Sequence, residues 1–549
     1  MPYSKPSGGK RKGGLSAPIQ QLSKPVPILP PVGVNQVDPL AEFPPLDAVF
    51  MFNMIADKYG TRVRTGYVHW SDAPFGAIGY PKTVIPYSGS TRSLDKLFAV
   101  FGHSICDVST SGAAPTVLLN FAAITTNSGH GCWVDLTILG GFGIVYTDED
   151  YGAYRYNEGT NLWVRTSAAE ITNVDPATLV FCTLYQSRLW FVQRDTSDAW
   201  FLPVGSIIGA ATKFTFGNKF KQGGTLQALY TWPVMDSGAG LSEYLVAVSS
   251  SGEVIVYTGI DPTADPTLYP TLAFRQVGSW FIGAVPVGRR IGGRFGGDLY
   301  LLSIYGLLPM SKVIQGQLAQ VDTIELTRKI SPAIKTLMAS SFTTFGWEVK
   351  LIPNENSLMV MSPAVSGYPA TQFVQQLNTQ GWSVYQGIPI YTGEVWEGGF
   401  YFGSAITGNI YQFIGSADDV SIDGLTSVSI SCSILGSFQD VQEPGLYHRA
   451  MFIRPVFLTT QQPTYTVEVR YDYNISEIFA PGTATIPTGV IWDVAVWDLG
   501  IWGGQFQEVE APRGGKGMGR AMAVGLSLST NSETYLIRYD VAFDTGGFL

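Results

Sequence analysis

The sequence predicts an all-β protein: a multi-bladed β-propeller of six or seven blades, with a C-terminal β-sandwich-like domain and an extended N-terminal arm. Three observations predict this fold. The composition favours strands over helices, short apolar segments recur about every 50 residues, and five segments of alternating polarity crowd the last part of the chain.

The composition of the 549 residues is typical of β-structure. Charged residues make up 14%, hydrophobic residues 45% and aromatic residues 13%, with 62 Gly and 33 Pro. Disordered chains have few aromatic and many charged residues, so this mixture excludes disorder for most of the chain. Glycine and proline break helices, whereas β-branched and aromatic residues fit strands, so a helical fold is disfavoured as well.

Residues 1–45 form a basic arm rich in proline and glycine. Lys10, Arg11 and Lys12 come first, and the run P-V-P-I-L-P-P occupies residues 25–31. Proline removes backbone donors, so we expect nothing in this arm to pack as a sheet. Two states stay open: a disordered tail, or an extended arm ordered against a neighbouring subunit.

Seven candidate hairpins lie between residues 46 and 417. The clearest is 244–257, Y-L-V-A-V-S-S-S-G-E-V-I-V-Y, in which a Ser-Gly turn separates two apolar strands. The seven hairpins begin near Leu97, Ile144, Leu189, Leu245, Leu299, Lys350 and Phe400. Successive starts are 45 to 56 residues apart, which is close to the spacing of propeller blades.

Hairpins of this kind need a closed arrangement. An isolated hairpin is marginally stable and leaves its edges unpaired, whereas four-stranded blades around one axis bury both of their faces. We therefore assign residues 46–417 to one β-propeller. A run of separate β-sandwiches is the alternative.

Residues 418–549 have a different pattern, which predicts a compact C-terminal β domain. Five segments alternate like half-buried antiparallel strands, as in a sandwich or partial barrel. These segments are 428–435, 451–458, 465–473, 522–529 and 535–543. Helix is scarce throughout, and the best candidate for a helix is 331–341.

The charge and the cysteines argue against several functions. A formal net charge of −9 does not suit tight duplex binding, although a tube that lets DNA slide benefits from repelling phosphates. The four cysteines are Cys106, Cys132, Cys182 and Cys432. Their scatter favours structural free thiols, with a disulfide or a metal site as alternatives.

The remaining composition predicts neither a cofactor nor a membrane anchor. The four histidines form no pair with metal-ligand spacing and have no recognisable nucleophile partner, so we expect no metal, no cofactor and no catalytic centre. No apolar run is long enough to span a membrane. The N-terminus lacks the apolar core of a signal peptide, so we expect synthesis in a cytoplasm without classical secretion.

Two acidic clusters are candidate channel or loop acids. Asp148, Glu149 and Asp150 stand at a hairpin tip, between I-V-Y and Y-G-A-Y-R-Y. They lack the D-x-D-x-D-G spacing of a calcium loop, so we favour a solvated turn over a cation site or a negative channel wall. Asp418 and Asp419 are interpreted in the same way, as a loop.

A basic segment, G-R-R-I-G-G-R-F-G-G, occupies residues 288–297. Arg289, Arg290 and Arg294 stand among glycines and precede a strand, so no helix terminus is available to bind a phosphate. Two interpretations of this segment stay open. Its arginines contact DNA or an acidic neighbouring subunit, or the segment is an ordinary flexible loop between blades.

The segment 491–504, I-W-D-V-A-V-W-D-L-G-I-W-G-G, repeats tryptophan every five residues, at Trp492, Trp497 and Trp502. A period of five fits neither helix nor regular strand, so we expect successive tight bends with the indoles folded inward. Two interpretations stay open: the tryptophans form a local aromatic core, or they anchor one subunit to another. The second is considered because tryptophan is favoured at interface centres.

Four features carry a family resemblance. They are P-L-D-A-V-F-M-F-N-M-I-A-D-K-Y-G-T-R-V-R-T-G-Y at 45–67, the hairpin 244–257 with R-Q-V-G-S-W-F-I-G-A-V from Arg275, the tryptophan-aspartate box at 492–504, and the ending Y-D-V-A-F-D-T-G-G. Together they span most of residues 45–549. In this layout the chain resembles the tail nozzle proteins of short-tailed phages, also called hub or packaged-DNA stabilisation proteins.

The resemblance implies a virion structural protein of the phage tail, assembled in the host cytoplasm. It implies a homohexameric ring below the portal and its adaptor, with a central channel that retains double-stranded DNA and then conducts it during ejection. It also implies attachment surfaces for receptor-binding spikes or fibres, and it supplies no catalytic residues. Two alternatives stay open: a carbohydrate-binding or carbohydrate-cleaving propeller, and another phage tail or adaptor component.

Overall fold

The computed structural model describes residues 25–545, apart from 75–78, 124, 139–140, 237–239, 317–324, 365–369, 420–426, 441–445, 477–506 and 511–512. The segment with Trp492, Trp497 and Trp502 therefore lies outside the described residues, and its predicted bends stay a prediction.

Among the described residues, six small sheets and one end of a ten-stranded sheet form the seven blades of one propeller. Blade 1 consists of Thr83–Tyr87, Lys96–Val100, Ser104–Asp107 and Thr116–Asn120. Blade 2 consists of Gly131–Ile138, Gly141–Asp148, Gly152–Asn157 and Leu162–Arg165. Blade 3 consists of Leu179–Tyr185, Arg188–Gln193, Asp198–Phe201 and Thr212–Thr215.

The remaining four blades continue in chain order. Blade 4 consists of Leu226–Asp236, Gly240–Ser249, Glu253–Thr258 and Arg275–Phe281. Blade 5 has three strands, Gly292–Phe295, Asp298–Ser303 and Gly306–Pro309. Blade 6 consists of Glu348–Ile352, Ser357–Met361, Gln372–Gln376 and Trp382–Tyr385. Blade 7 consists of Ile390–Trp396, Gly399–Ser404, Ile410–Gln412 and, from the other end of the chain, Val68–Ser71.

The ring is closed by strands from both ends of the propeller sequence. Val68–Ser71, which precedes blade 1, pairs antiparallel with Ile410–Gln412 and completes blade 7. The first strand of blade 7, Ile390–Trp396, packs beside the first strand of blade 1, Thr83–Tyr87. Closure leaves only short outer edges unpaired, as expected for a propeller.

Apolar layers lie between neighbouring blades as well as within them. Phe98 of blade 1 and Trp163 of blade 2 pack with ring centroids 5.3 Å apart. Val84 and Leu97 of blade 1 join Tyr401 of blade 7 in one buried cluster. Burial of these shared surfaces stabilises the ring as one unit, so the alternative of separate β-sandwiches is wrong.

All seven candidate hairpins are confirmed as antiparallel strand pairs. In the clearest of them, Gly240–Ser249 pairs with Glu253–Thr258. Gly252 in the turn has φ +86°, and a Cβ on it would lie 1.9 Å from the carbonyl oxygen of Gly283. Only glycine fits this turn without strain, which explains the Ser-Gly signal in the sequence.

The C-terminal region forms a sandwich of two sheets. Sheet A contains Val26–Ile28, Met54–Asp57, Gly60–Val63, His448–Thr459, Gln507–Glu510, Arg513–Gly514 and Thr534–Thr545. Sheet B contains Gly33–Val34, Asp47–Phe52, Ile430–Gly436, Gln439–Asp440, Thr464–Tyr471 and Ala521–Thr530. The five predicted strands of this region are confirmed, and sheet B is continuous with blade 6.

The junction between sheet B and blade 6 is a parallel contact. Phe52 of Asp47–Phe52 pairs with Val384 in the last strand of blade 6. Asp47–Phe52 pairs on its other side with Ile430–Gly436. Residues 47–63, which the sequence pattern placed with the propeller, therefore pair with strands of the C-terminal sandwich.

Part of the N-terminal arm enters the sandwich, which corrects the expectation that nothing in it packs as a sheet. Val26–Ile28 pairs antiparallel with Thr534–Thr545, so that Pro27 faces Asp540. Gly33–Val34 pairs parallel with the start of Asp47–Phe52. Proline is tolerated in the first of these strands because that strand lies at a sheet edge, where one side needs no donor.

Helices are few in the described residues. The predicted helix is confirmed as Ser331–Ser341, with a proline in its first turn, where the missing N–H costs nothing. It buries Ile334 and Met338. A shorter helix, Met310–Ile314, follows blade 5. Within the described ranges, no helix has the length and apolar character needed to cross a membrane.

Short elements complete the described structure. The 3₁₀ turns are Leu40–Glu42, Arg92–Leu94, Pro176–Thr178, Arg328–Ile330 and Pro353–Glu355. The two-residue strand pairs are Ile171–Thr172 with Gly209–Ala210, and Asp418–Asp419 with Ser427–Val428.

Candidate functional site in the axial cavity

The first strands of the blades surround a cavity of about 450 Å³ on the propeller axis. Its walls come from blades 2 to 7, and they include side chains as different as Trp133, Thr183 and Lys350. Its volume is that of a small-molecule site, because such sites usually measure about 300–1,000 Å³. It is the candidate site because seven of its described lining side chains are charged: Asp135, Glu243, Arg289, Arg290, Arg294, Lys350 and Glu394.

Arg289 and Arg290, from the segment between blades 4 and 5, border one end of the cavity. Arg289 donates from Nε and Nη2 to the Glu149 carboxylate, at 2.9 and 2.7 Å, and from Nη1 to the Gln227 carbonyl oxygen at 2.6 Å. Both charged side chains are buried, with exposed fractions of 13% and 8%. Arg289 therefore links blade 4 to the hairpin tip of blade 2.

Arg290 reaches the opposite side of the ring. Its Nε lies 2.8 Å from a carboxylate oxygen of Glu348 in blade 6, and its Nη2 donates to the Lys82 carbonyl oxygen at 2.7 Å. Its Nη1 lies within hydrogen-bond distance of the hydroxyls of Thr83 and Thr392. One guanidinium thus bridges blades 6, 7 and 1, and the two arginines together close one end of the cavity.

These contacts correct the interpretation of 288–297 as a flexible loop. Arg289 and Arg290 are held by buried carboxylates of their own chain, and Arg294 lies within the strand Gly292–Phe295. Charged pairs inside a protein must satisfy each other, because an unpaired buried charge is costly. Two of the three arginines are therefore committed to partners within the chain.

The acidic hairpin tip also differs from a solvated turn. Asp148 is fully buried and accepts hydrogen bonds from the Gly129, Asp150 and Tyr151 amides and the Tyr146 hydroxyl, at 2.7 to 3.1 Å. Burial raises the pKa of Asp148 to about 6, and the four hydrogen bonds oppose that rise. The carboxylate organises the turn.

The other two acids of this tip have different surroundings. Glu149 is the buried partner of Arg289, whereas Asp150 is partly exposed and accepts from the Asn127 amide at 3.2 Å and from the Thr125 hydroxyl. The exposed-turn interpretation is therefore wrong for Asp148 and Glu149. The sequence marked the acidic tip and the basic segment separately, and the fold brings them together.

A second ion pair and an unpaired acid lie on the cavity wall. Lys350 of blade 6 pairs with Glu394 of blade 7. Burial opposes the charged form of Lys350, but Glu394 and Glu348 outweigh it and raise the pKa of the ammonium. Asp135 of blade 2 is exposed to the cavity and has no ion pair among the described residues, and desolvation by the cavity walls together with repulsion from Glu394 raises its pKa to about 7.

The opposite wall carries Arg294 and Glu243. Arg294 donates only a long hydrogen bond, 3.4 Å, to the Thr231 carbonyl oxygen, and it has no ion pair among the described residues. Glu243 accepts from the Gln186 amide at 3.1 Å. The cavity therefore contains both charge types, and among the described residues neither Arg294 and Glu243 on one wall nor Asp135 on the other forms an ion pair.

The other predicted acids lie far from this cavity, next to the sandwich. Asp418 accepts from both terminal nitrogens of the buried Arg64, at 2.8 and 2.6 Å. Asp419 accepts from the His69 amide at 3.1 Å. Both acids are buried in a two-residue strand rather than a loop, and they fasten the segment before blade 1 to the segment after blade 7.

Comparison with known proteins identifies the fold type alone. No protein-family model matches the chain, and no curated protein matches it. Solved structures that are similar include the β-propeller domain of Cps50 (Swd1) from Myceliophteria thermophila, at 9% identity and a TM-score of 0.36, with 64% of this chain and 99% of that one covered.

Two further solved structures are similar over 70% of this chain. They are PorZ of Porphyromonas gingivalis, at 10% identity and a TM-score of 0.34, and the extracellular domain of a putative one-component system of B. thetaiotaomicron, at 9% and 0.30. The aligned parts cover 44% and 43% of those chains. At such scores the likeness says nothing about function.

Sequence reasoning missed the charged residues of the inner strands. Asp135, Glu348, Lys350 and Glu394 stand in strands, and no motif marks them. The sequence signal that could have indicated these site residues is a charged residue in the first strand of a blade, at a position that faces the propeller axis. In the part of the chain that the structure describes, no group of three or more His, Cys, Asp or Glu side chains could hold a metal ion.

Proposed function

We propose that this chain is a non-catalytic structural subunit of a short-tailed phage tail, acting as a ring of copies at the distal end of the tail. In this role it retains packaged DNA and conducts it during ejection, below the portal and adaptor. It also offers attachment surfaces to receptor-binding spikes or fibres. A homohexamer is the proposed ring.

One observation carries this proposal. The first and last features of the family resemblance, near residues 45–67 and at the C-terminal end, lie in the same sheet. Arg62 and Thr61 of the first feature pair with Tyr535 and Leu536 in Thr534–Thr545, the strand of sheet A that contains residues 539–545 of the last feature. Segments at opposite ends of the sequence thus build one domain attached to the propeller, which supports reading them as parts of one family layout.

The DNA conduit of this proposal lies between copies and not along the propeller axis. The major groove of a duplex is itself about 12 Å wide, so a duplex needs far more room than a small-molecule cavity. The axial cavity holds only about 450 Å³, and Arg289 and Arg290 close one end of it. A propeller of this kind serves as a wall segment of the conduit.

The net charge of the chain supports a conduit wall that does not bind DNA tightly. Each chain carries a formal net charge of −9, so six copies carry six times that, or −54. Arg289 and Arg290, two cations of the glycine-rich segment, are neutralised within the chain. A conduit with a negative balance repels phosphates and lets the duplex slide.

Electron microscopy of the purified full-length protein in gentle buffer tests this proposal. We expect closed rings with a bore wide enough for a duplex, and the same ring at the distal end of the tail in intact particles. Particles that lack the protein should package DNA and then leak it. A strictly monomeric protein, or release of reducing sugar from a host polysaccharide by the purified chain, would contradict the proposal.

A further inference from the structure

The axial cavity contains three charged groups that form no ion pair among the described residues: Asp135, Glu243 and Arg294. Arg289, Arg290 and Lys350 each pair with a carboxylate. Asp135 and Arg294 also line the cavity, but neither has an ion pair among the described residues. Such groups keep their full capacity to bind a ligand of opposite charge.

Asp135 and Arg294 lie on opposite sides of the ring. Asp135 belongs to the first strand of blade 2, and Arg294 belongs to the first strand of blade 5. In a ring of seven blades, blades three steps apart lie on opposite walls. A ligand that reaches both groups must therefore span the cavity and carry a positive charge at one end and a negative charge at the other.

The surroundings favour a cation next to Asp135, whereas on the opposite wall, which also carries Glu243, the guanidinium of Arg294 is the group that attracts an anion. Glu394 repels the Asp135 carboxylate, so a cation next to Asp135 would relieve the repulsion. Lys350, which pairs with Glu394, leaves this wall with an excess of negative charge. On the opposite wall the guanidinium of Arg294 offers the fork geometry that binds a carboxylate with two hydrogen bonds.

We propose that the axial cavity binds a small zwitterionic solute, with its ammonium group at Asp135 and its carboxylate at Arg294. A cavity of about 450 Å³ holds a compound of amino-acid or dipeptide size. Polar wall groups such as the Thr183 and Thr231 side chains supply further hydrogen bonds. This inference does not depend on the proposed ring, because all of the residues belong to one chain.

Isothermal titration calorimetry on the full chain tests the proposal. The probes are ω-amino acids of increasing length, which place an ammonium and a carboxylate at a graded separation. We expect one site per chain and an affinity that peaks at one length. Matched alkylamines and alkyl carboxylates, which lack one of the two charges, should bind at least about tenfold more weakly.

Substitutions locate the site. Asp135→Asn and Arg294→Gln should each weaken the best probe by about tenfold or more without lowering the melting temperature. The matched controls Asp265→Asn and Arg275→Gln remove exposed charges on blade 4, outside the cavity, and should leave binding unchanged. The proposal is overturned if no probe binds, if the cavity substitutions leave binding unchanged, or if a neutral sugar binds there equally well.

Discussion

Arg289 and Glu149, 140 positions apart in the sequence, form a two-pronged ion pair that joins the segment before blade 5 to the hairpin tip of blade 2. Both side chains are largely withdrawn from solvent. The pair joins the basic segment 288–297 to the acidic hairpin tip 148–150. It therefore has direct consequences for stability.

Arg289→Ala should destabilise the propeller by about 3–5 kcal/mol, because it leaves the Glu149 carboxylate buried without its partner. The loss is measured as the change in unfolding free energy in denaturant. Lys213→Ala is the matched control: its pair with Asp198 is half exposed at the lysine, so the expected loss is about 1 kcal/mol or less.

A double-mutant cycle separates the pair from its neighbours. Adding Glu149→Gln to Arg289→Ala should recover part of the lost stability, since the uncompensated charge is then gone. Equal and additive losses for the two single substitutions would show that the ion pair is energetically unimportant.

Deletion of residues 1–72 should open blade 7. This deletion removes Val68–Ser71, the strand that pairs with Ile410–Gln412 and completes the last blade. Hydrogen–deuterium exchange should then show lost protection in Gly399–Ser404 and Ile410–Gln412, because their sheet has become a three-stranded edge. Deletion of residues 1–66 removes the same sandwich strands, keeps the closing strand and should preserve the protection. Unchanged exchange after the longer deletion would argue against closure by this strand.

Stability should depend on pH through Asp135. Its folded pKa of about 7 lies above the ordinary aspartate value, so the folded state binds more protons than the unfolded state between about pH 4 and 7. This contribution to stability is therefore lost as the pH rises through that window. Asp135→Asn should remove the loss and stabilise the protein above pH 7, by at most about 1 kcal/mol because cavity water screens the charge.

Melting temperatures across the pH range check this sign. Asp265→Asn is the control, since hydrogen bonds from Thr267 lower the pKa of Asp265 and give a small effect of opposite sign. The raised pKa of Asp135 would be contradicted if the melting temperatures of Asp135→Asn and wild type differed by the same amount at every pH.

The four cysteines should be inert in the native protein. Cys106, Cys132, Cys182 and Cys432 are free and buried. Burial raises the pKa of the Cys106 thiol to about 11 and of Cys132 to about 12, so the reactive thiolate is scarce at neutral pH. A chromogenic thiol reagent should detect none before denaturation and all four afterwards. An Ile406→Cys variant, at a highly exposed position, supplies the reactive control.

Much of the fold could be predicted from the sequence because its signals are local. Alternating apolar residues and Gly-containing turns decide whether a segment can form a hairpin, and all seven hairpins and the helix Ser331–Ser341 follow from such patterns. The candidate site could not be predicted in this way. Nothing near Asp135 or Arg294 in the chain indicates that the two residues share a cavity.

Local sequence patterns specify the all-β class, the blade spacing and the strands of the C-terminal domain, because period and turn chemistry act over a few residues. Three features follow only from the assembled fold: the ring closes through Val68–Ser71, residues 47–63 belong to the sandwich sheets, and Arg289 and Arg290 are paired within the chain. These outcomes depend on contacts between distant residues, whose free energy arises only after the blades have assembled around a common axis.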